Sequence, residues 1–388
     1  MKRIAVAERP DWKEQAERLG FRFHTIDGER YWDERAYYAF TLEQVERDIE
    51  QPTRELHDMA MQFVDEAVGS EELLERLAIP AQYRDWVRDS WKSGQPHVYG
   101  RMDLAYDGTG PAKLYEFNYD TPTALYEAAY FQWLWLEQQI AAGVLSAKAD
   151  QYNRIQEALC EAFAFLAREK RIGATVHFSA VKESEEDRAT VSYLRDCAHQ
   201  VGIATDYVAI EDIGLSAEGW FTDERDNVIR TLFKLYPLEF MMAERFGPDL
   251  LRNTMQLVEP AWKAILSNKA VLPLLWERHE GHPNLLPAYF ESDTRVLAPG
   301  WVRKPLFSRE GANIDLLTHA GEAMSSPGPY DDCGAILQAY HPLPCFDGHY
   351  PLVGSWVIAD EAVGMGLRED DTLITRNTSR FVPHAIIG

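Results

Sequence analysis

The feature that most constrains the fold is an alternation of strand, helix and strand patterns between residues 175 and 210. Thr175–Phe178 is a short β-like run, Glu185–Val201 has helical periodicity, and Ala204–Ile210 is a second β-like run. Strands joined through a helix of this length pair in parallel, because a parallel crossover needs a dozen or more residues. The segment therefore predicts a small α/β unit with some parallel sheet.

The flanking segments have other patterns. Residues 42–98 have helical periodicity, with charged residues on the outer faces. Residues 98–120 read as two strands around a Gly-rich turn, and a long helix is predicted over 122–142. From residue 270 onward short strands alternate with turns, which indicates an antiparallel α+β region with predicted strands at 301–304, 335–340, 351–359 and 362–367.

We therefore expect a mixed α+β and α/β chain. The predicted regions are a mostly helical N-terminal region at 1–98, a hairpin and helix at 99–150, the small α/β unit at 151–265, and the antiparallel region at 266–388.

Composition excludes several classes of function. The chain has 388 residues, of which 46% are hydrophobic, so it is long enough for a large core and is not a disordered protein. Its formal charge of −23 repels phosphate backbones and anionic lipids, so we expect neither nucleic-acid nor membrane binding. The opening residues are too short an apolar run for a signal peptide, and the four cysteines form no CxxC pair. We therefore expect free thiols and a cytoplasmic location.

The first candidate site lies on the predicted hairpin. Arg101 and Asp103 share one face of the first strand, and Glu116 and Asn118 share one face of the second, because residues two apart in a strand point the same way. If the strands pair, an arginine, two carboxylates and an amide converge, and such hard oxygen ligands suit Mg²⁺. A solvated strand face with cross-strand ion pairs explains the same pattern.

The second candidate site is cationic. Lys269 follows Asn268, Lys304 ends a β-like run before a proline, and a Gly-containing polar loop follows at 308–313. Such a loop could bind phosphate with its backbone N–H groups. The sequence contains neither a P-loop nor a dinucleotide-binding glycine motif, and solvated lysine charges are the ordinary alternative.

Three further segments have both functional and structural interpretations. The apolar run at 336–344 could present its end to an adenine or be an ordinary core strand, with His341 more typical of a structural histidine than of a base. Arg368 could pair with an anionic ligand or with its acidic neighbours. The segment at 119–123 could be simply a helix N-cap with proline in the first turn.

Taken in order, these segments resemble a known family. The strings RMD, YEFNYDTPT, LSNKAVLPLLWE, HPNLLPAYFE, VRKPLFSREGANI, LQAYHPLP and TSRFVPH are similar to the synthetase domain of the glutathionylspermidine synthase family. The resemblance covers nearly the whole chain, and the length suggests the stand-alone members that lack the amidase domain. It implies an ATP-grasp fold, with ATP between two lobes and a carboxylate activated as an acyl phosphate.

The resemblance also implies roles for individual residues. It implies Mg²⁺ ligands at Asp103, Glu116 and Asn118, a catalytic arginine beside the transferred phosphate at Arg101, and ATP-phosphate lysines at Lys269 and Lys304. It further implies contacts with adenine and with the closing loop, at Gln338, Ala339, Tyr340, His341 and Gly311. The acid substrate would be bound by Thr121, Thr123 and Arg368.

One segment departs from the family. Members that use glutathione have threonines in a Trp-Lys-Thr-Trp-like segment followed by Glu-Thr, whereas this chain has Leu235 and Phe240 at the two threonine positions. Lost hydrogen bonds of this kind change specificity strongly. We therefore expect glutathione to be a poor acid substrate, and a more apolar peptide or amino acid to be preferred.

The function expected is an ATP-dependent carboxylate–amine ligase that uses ATP and Mg²⁺. Its substrates would be a small acid (a peptide or amino acid) and, from the resemblance, a polyamine-like amine. A nucleotide-binding module without catalysis is the main alternative. A carbohydrate hydrolase, suggested by the 11 tryptophans and the acidic composition, is the other, but it leaves the lysines unexplained.

Overall fold

The structure is a computed structural model that describes residues 1–26, 28–293, 297–330 and 333–387. The predicted mixture of α/β and α+β regions is confirmed. Helices pack around a parallel sheet in one part of the chain, while the residues around the candidate site lie mainly on antiparallel sheets.

The N-terminal region is helical, as predicted, over residues 42–92. Its helices begin where hydroxyl side chains cap them: Thr41 accepts from the backbone of Gln44 in a capping box, and Ser70 accepts from the backbone of Leu73. The helices are Leu42–Val45, Glu46–Glu50 in π form, Gln51–Val68, Glu71–Arg76 and Arg84–Lys92, with a 3₁₀ turn at Ala81–Tyr83.

The predicted hairpin is confirmed and belongs to a five-stranded antiparallel sheet, here called the site sheet. The hairpin register sets Arg101 opposite Asn118 and Asp103 opposite Glu116. In spatial order the strands of the site sheet are Arg380–Val382, Glu361–Asp370, Tyr350–Ile358, Tyr99–Ala105 and Lys113–Asn118.

The helix after the hairpin begins later than predicted. Helical structure begins at residue 125, within a few residues of the predicted start at about 122, and continues through Glu127–Phe131 in π form and Gln132–Ala141. Ala124 has a φ of 63°, and the carbonyl of Thr123 accepts a hydrogen bond from Arg101 at 2.8 Å. Residues 121–124 therefore serve a tertiary contact, and the proposed N-cap at this position is wrong.

The small α/β unit is confirmed. Its four strands are all parallel, in the order Gln256–Val258, Thr231–Leu235, Thr175–Ala180 and Ala204–Tyr207. Its helices are Ile155–Arg168 and Glu185–Gln200, and the short helix Leu238–Ala243 follows the third strand in sequence. The strand predicted at 204–210 ends at Tyr207, because a 3₁₀ turn occupies Ile210–Asp212.

A second antiparallel sheet, here called the lid sheet, forms much of the region after residue 270. In spatial order its strands are Ala288–Phe290, Ala335–Ala339, Trp301–Pro305, Asp315–Leu317 and Ala323–Ser325. The helix Val271–Arg278 contacts its edge. The antiparallel α+β prediction is thereby confirmed.

A third sheet joins the two ends of the chain and was not predicted. The strand Ala36–Phe40 lies between Lys2–Ala5, which is antiparallel to it, and His384–Ile386, which is parallel to it. Lys2 pairs with Ala39, and Ile386 pairs with Phe40. The start of the strand Lys2–Ala5 and the end of the strand His384–Ile386 therefore lie at the same end of the central strand.

Two large hydrophobic clusters hold these sheets together. One unites the helices of residues 42–92 with the site sheet, and the other unites the helices of the parallel sheet with aromatic residues of the first 40. All four cysteines are free thiols, as expected. Within the described part of the chain, no helix is long and apolar enough to cross a membrane.

Candidate functional site

One cavity between the site sheet and the lid sheet is lined by every site residue that the sequence predicts. Its volume, measured as the space open to the centre of a water molecule, is about 190 Å³. A single water needs about 10–15 Å³ by that measure, so the cavity has room for a ligand. The predicted residues on its wall are Arg101, Asp103, Glu116, Asn118, Thr121, Thr123, Lys269, Lys304, Gly311, Gln338, Ala339, Tyr340, His341 and Arg368.

The hairpin places four polar side chains on one wall of this cavity. Arg101 donates to both carboxylate oxygens of Asp103, at 2.7 and 3.1 Å, and Asn118 donates to Asp103 at 3.0 Å and towards Glu116 at 3.5 Å. Asp103 is only 5% exposed. Arg101, Glu116 and Asn118 are half-buried. The face is therefore not a solvated surface, although the cross-strand contact expected from that alternative is present.

The two lysines are also buried, each 7% exposed, so they are not solvated surface charges. Lys269 Nζ lies 3.0 Å from a carboxylate oxygen of Glu116 and donates to the carbonyl of Ser308 at 2.6 Å. Lys304 donates to Gln338 Oε1 at 2.7 Å and to the carbonyl of Tyr115 at 3.1 Å. The cations of one wall thus face the carboxylates of the other.

Burial and charge interactions together shift the pKa values of two side chains in the cavity, Glu116 and Lys304. Burial alone would raise the pKa of Glu116, but the charges of Lys269 and Lys304 outweigh it and hold that pKa at about 2. Burial lowers the pKa of Lys304 to about 8, although the charge of Glu116 opposes that shift. Glu116 is therefore ionised at neutral pH, and Lys304 loses its proton in the mildly alkaline range.

The donor set on the hairpin fits Mg²⁺. Asp103, Glu116 and Asn118 offer carboxylate and amide oxygens, and their polar atoms lie within 3.5 Å of a neighbour in the set. Asn118 carries both an amide oxygen and an amide nitrogen, so a rotation of its amide group presents the oxygen. Hard oxygen donors that leave positions open for phosphate oxygens are the environment in which Mg²⁺ is usually bound.

A second cluster of metal-ligating type lies elsewhere among the described residues. His177, Asp206 and Asp223 have ligand atoms within 4.8 Å of one another. They belong to the parallel-sheet region and do not line the cavity. Asp206 accepts from Arg225 at 2.8 Å, and Asp223 accepts from Asn227 at 2.9 Å. These carboxylates already have partners, and we assign no metal to this cluster.

The end of the strand Ala335–Ala339 forms an apolar wall. Gln338, Ala339, Tyr340 and His341 line the cavity, whereas the earlier residues of the strand are core. The core-strand interpretation therefore holds for the start of this segment, and contact of its end with an adenine stays a prediction. The N–H of Ala339 is donated to Pro287, and that of Tyr340 to Gly300. A base on this wall would therefore meet carbonyl groups, side chains and the apolar residues Val302, Ile314, Leu316, Leu343, Leu352, Leu373 and Ile374.

Residues 306–314, here called the closing loop, connect two strands of the lid sheet, and Ser308, Arg309, Glu310, Gly311 and Ile314 of this loop line the cavity. Gly311 has a φ of 70°, and a Cβ at this position would collide with the carbonyl of Thr375. Only glycine suits a backbone that is both left-handed and this close to another chain segment. The closing loop is also tied to the cavity through Ser308, whose carbonyl accepts from Lys269.

The part of the cavity wall expected to bind the acid, here called the acid end, consists of Thr121, Thr123 and Arg368. Arg368 donates to the carbonyls of Ser379, Arg376 and Asn377, which fixes its guanidinium, and its charge lies over the ring of Tyr31. It is therefore held by backbone groups rather than by its acidic neighbours in sequence.

Two acidic groups lie behind this end of the cavity. Burial, helped by the charge of Glu186, raises the pKa of Glu127 to about 7. Burial also raises the pKa of Glu186, which bonds to Thr123. Glu127 therefore changes charge near neutral pH, close to the region where the acid substrate is expected.

The sequence predictions missed part of the cavity wall. Tyr115 and Arg309 line it, and so does the segment 373–377. Arg309 follows Ser308 in the loop that the sequence singled out, so it could have been assigned from its position. The segment 373–377 has no motif that marks it as part of a site. It reaches the cavity wall because the fold brings it beside Gly311.

The structure also corrects the argument about acid specificity. Leu235 is 3% exposed, packs in a hydrophobic cluster and is not on the cavity wall. Phe240 is 38% exposed and lies against Arg309, with the guanidinium 5.6 Å from its ring centre. Phe240 is thus in contact with a residue of the cavity wall, whereas Leu235 is a core residue of the parallel sheet.

Comparison with known proteins places these features in context. A sequence model described as "Glutathionylspermidine synthase preATP-grasp" matches residues 3–387. A Haemophilus influenzae protein described as a candidate acid–amine ligase is 40% identical over 404 residues, with full coverage of both chains. The trypanothione synthetase of Crithidia fasciculata is 28% identical over 84% of this chain, and the bifunctional glutathionylspermidine synthetase/amidase of Escherichia coli is 27% identical over 90%. The chain spans 53% and 59% of those two longer relatives.

Among solved structures, a glutathione synthetase-like effector from Globodera pallida in its apo form is similar in fold. The TM-score is 0.55, the sequence identity is 12%, and 98% of each chain is covered. Together with the family match, this likeness confirms the predicted ATP-grasp fold.

Proposed function

Since the chain belongs to the glutathionylspermidine synthase preATP-grasp family and is an ATP-dependent acid–amine ligase, we propose that it forms an amide through an acyl phosphate. The acid would be a peptide or amino acid and the amine polyamine-like. The substrates named for the trypanothione and glutathionylspermidine synthetases support this choice of class.

In the proposed first step, a carboxylate oxygen of the acid attacks the γ-phosphorus of ATP, and ADP leaves. Negative charge then spreads over the phosphoryl oxygens and the leaving group, and fixed cations stabilise it without reorganising. Lys269 and Lys304 are assigned to the ATP phosphates and Arg101 to the transferred phosphoryl group. Arg101 is suited to this role because Asp103 and the Thr123 carbonyl already fix its orientation.

Magnesium binding is assigned to Asp103, Glu116 and Asn118, whose donor chemistry fits it. When bound, the ion would neutralise charge on the phosphate oxygens. Ionised Glu116 faces both this donor set and the ammonium of Lys269, so it links the metal side of the cavity to the lysine side.

In the second step, the amine nitrogen attacks the acyl carbon, phosphate leaves, and the nitrogen loses a proton. The product is the amide, so acid and amine together lose one water. An amine reaches this step only in its neutral form, and the carboxyl of Glu186 beside Thr123, whose pKa is raised, is a nearby proton acceptor.

The observation that carries this proposal is the convergence of every predicted site residue on one cavity. Neither alternative explains that convergence. In a hydrolase the paired carboxylates would flank a sugar, whereas Asp103 and Glu116 are joined by Asn118 and neutralised by cations. A binding module without catalysis has no need of Arg101, which lies beside the proposed magnesium ligand Asp103 and is assigned to the transferred phosphoryl group.

The test is incubation with Mg-ATP and pooled peptides, amino acids and polyamines. We expect ADP release that requires both an acid and an amine, and a product mass equal to their sum less one water. Nucleotide binding with no such ADP release for any pair would support the non-catalytic module, and product formation without nucleotide would contradict the ligase mechanism.

A further inference from the structure

A buried ion pair lies directly behind the acid end of the cavity. Lys234, on a strand of the parallel sheet, pairs with Asp120, and both side chains are fully buried. The other carboxylate oxygen of Asp120 accepts from the backbone N–H of Leu238 at 2.8 Å. A buried pair of this kind is stable only in one geometry, because separating the charges leaves each without a partner.

This pair fixes the start of the helix Leu238–Ala243, and hence the position of Glu239. Glu239 forms an ion pair with Arg309 of the closing loop, and the two side chains are 16% and 25% exposed. The pair joins segments 70 residues apart. The ion pair between Glu239 and Arg309 therefore links the small α/β unit to the closing loop.

The contacts close into a ring. Arg309 Nε lies 3.5 Å from the hydroxyl of Thr121, which directly follows Asp120 in sequence. The path therefore runs from Asp120 to Leu238, Glu239, Arg309 and back to Thr121. Phe240 supports the same guanidinium with its ring.

We propose that Glu239 is a positioning residue that holds Arg309, and with it the closing loop, against the acid-binding end of the cavity. This inference rests on the proposed function, because it assigns the effect to binding of the acid substrate. Glu239 is not on the cavity wall, so it acts only through Arg309. At the ATP end of the cavity, Lys304 is held from outside the closing loop, by Gln338 and the carbonyl of Tyr115. Lys269 bonds to the closing loop itself, at the carbonyl of Ser308.

The variant Glu239→Gln tests the inference, because it keeps the side-chain volume and removes the charge. We expect the KM for the acid to rise about tenfold, as for the loss of one charged hydrogen bond, and the KM for ATP to rise less, because Lys304 keeps its contacts outside the closing loop. Glu239→Asp should recover part of the loss. Glu244→Gln is the matched control, because Glu244 lies just beyond the same helix and its carboxylate accepts from Tyr236 at the surface.

Hydrogen exchange of residues 306–314 gives a readout that needs no turnover. We expect faster exchange in Glu239→Gln than in the wild type and in Glu244→Gln. Exchange equal to that of the wild type overturns the inference, and so does an equal rise in the KM values for acid and ATP. If the wild type shows no ADP release dependent on acid and amine, the proposed function fails, while the exchange comparison still decides whether Glu239 holds the loop.

Discussion

The pH dependence of ATP binding is expected to follow the ammonium of Lys304. This lysine is buried with a pKa of about 8, and a phosphate contact requires its charged form. The charged fraction is roughly nine tenths at about pH 7 and roughly one tenth at about pH 9. The dissociation constant for ATP should therefore rise about tenfold over this interval, which corresponds to about 1.4 kcal/mol.

Unfolding does not explain such a loss. The pKa of Lys304 is lowered on folding, so above about pH 8 the unfolded chain holds a proton that the folded chain has lost. Stability contributed by this group therefore increases as the pH rises, up to about 10.5, the usual lysine value. Affinity and stability should change in opposite directions.

Calorimetric titration with ATP, at constant ionic strength from about pH 7 to about pH 9, measures the effect. Nucleotide phosphates titrate near pH 6, so ATP itself keeps its charge over this range. Lys304→Arg, which stays charged, should give a nearly flat profile even if its affinity is lower. Lys182→Ala is the surface control, because Lys182 is exposed and pairs with Asp212.

Glu116→Gln gives a test of the cause. Glu116 raises the pKa of Lys304, so its removal should move the fall in affinity to a lower pH. The reasoning is refuted if wild-type affinity is flat between about pH 7 and about pH 9, or if the wild type and Lys304→Arg lose affinity in parallel.

Three further predictions concern the same cavity. Asp103→Asn and Glu116→Gln should each abolish Mg-ATP turnover without unfolding the chain, since they remove charge with little change in volume. ADP release measures the turnover and thermal melting measures the stability, and full activity in both variants would exclude the metal assignment. Lys269→Ala should weaken ATP binding about tenfold or more, measured by calorimetry, because it removes a charged phosphate partner. Glutathione should give a lower kcat/KM than the best acid of a panel with one common amine, measured by ADP release, because Phe240 places a ring beside Arg309; the highest value for glutathione would contradict this.

The fold was predictable where the signals are local. Helical periodicity located the helices of residues 42–92, and alternation around a glycine turn gave the hairpin with Asp103 opposite Glu116. The following helix begins at residue 125 rather than at about 122, because Arg101 takes the carbonyl of Thr123 in a contact that no local pattern records. The sheet that joins the two ends of the chain was missed for the same reason.

The candidate site was predictable to the extent that residue types and strand spacing reveal chemistry. Asp103 and Glu116 could be grouped from the hairpin, whereas the roles of Lys269 and Lys304 rested on the family resemblance. Burial decides between a phosphate lysine and a surface lysine, and burial depends on the whole fold. The ion pair of Arg309 with Glu239 could not be predicted, because it joins distant segments without a shared motif.

The sheet at the chain ends has a consequence for the order in which this protein can be made. The strand Ala36–Phe40 gains its parallel neighbour only when residues 384–386 have left the ribosome. The cavity strand Tyr99–Ala105 likewise waits for Tyr350–Ile358. A nascent chain therefore carries an unpaired strand edge through most of its synthesis.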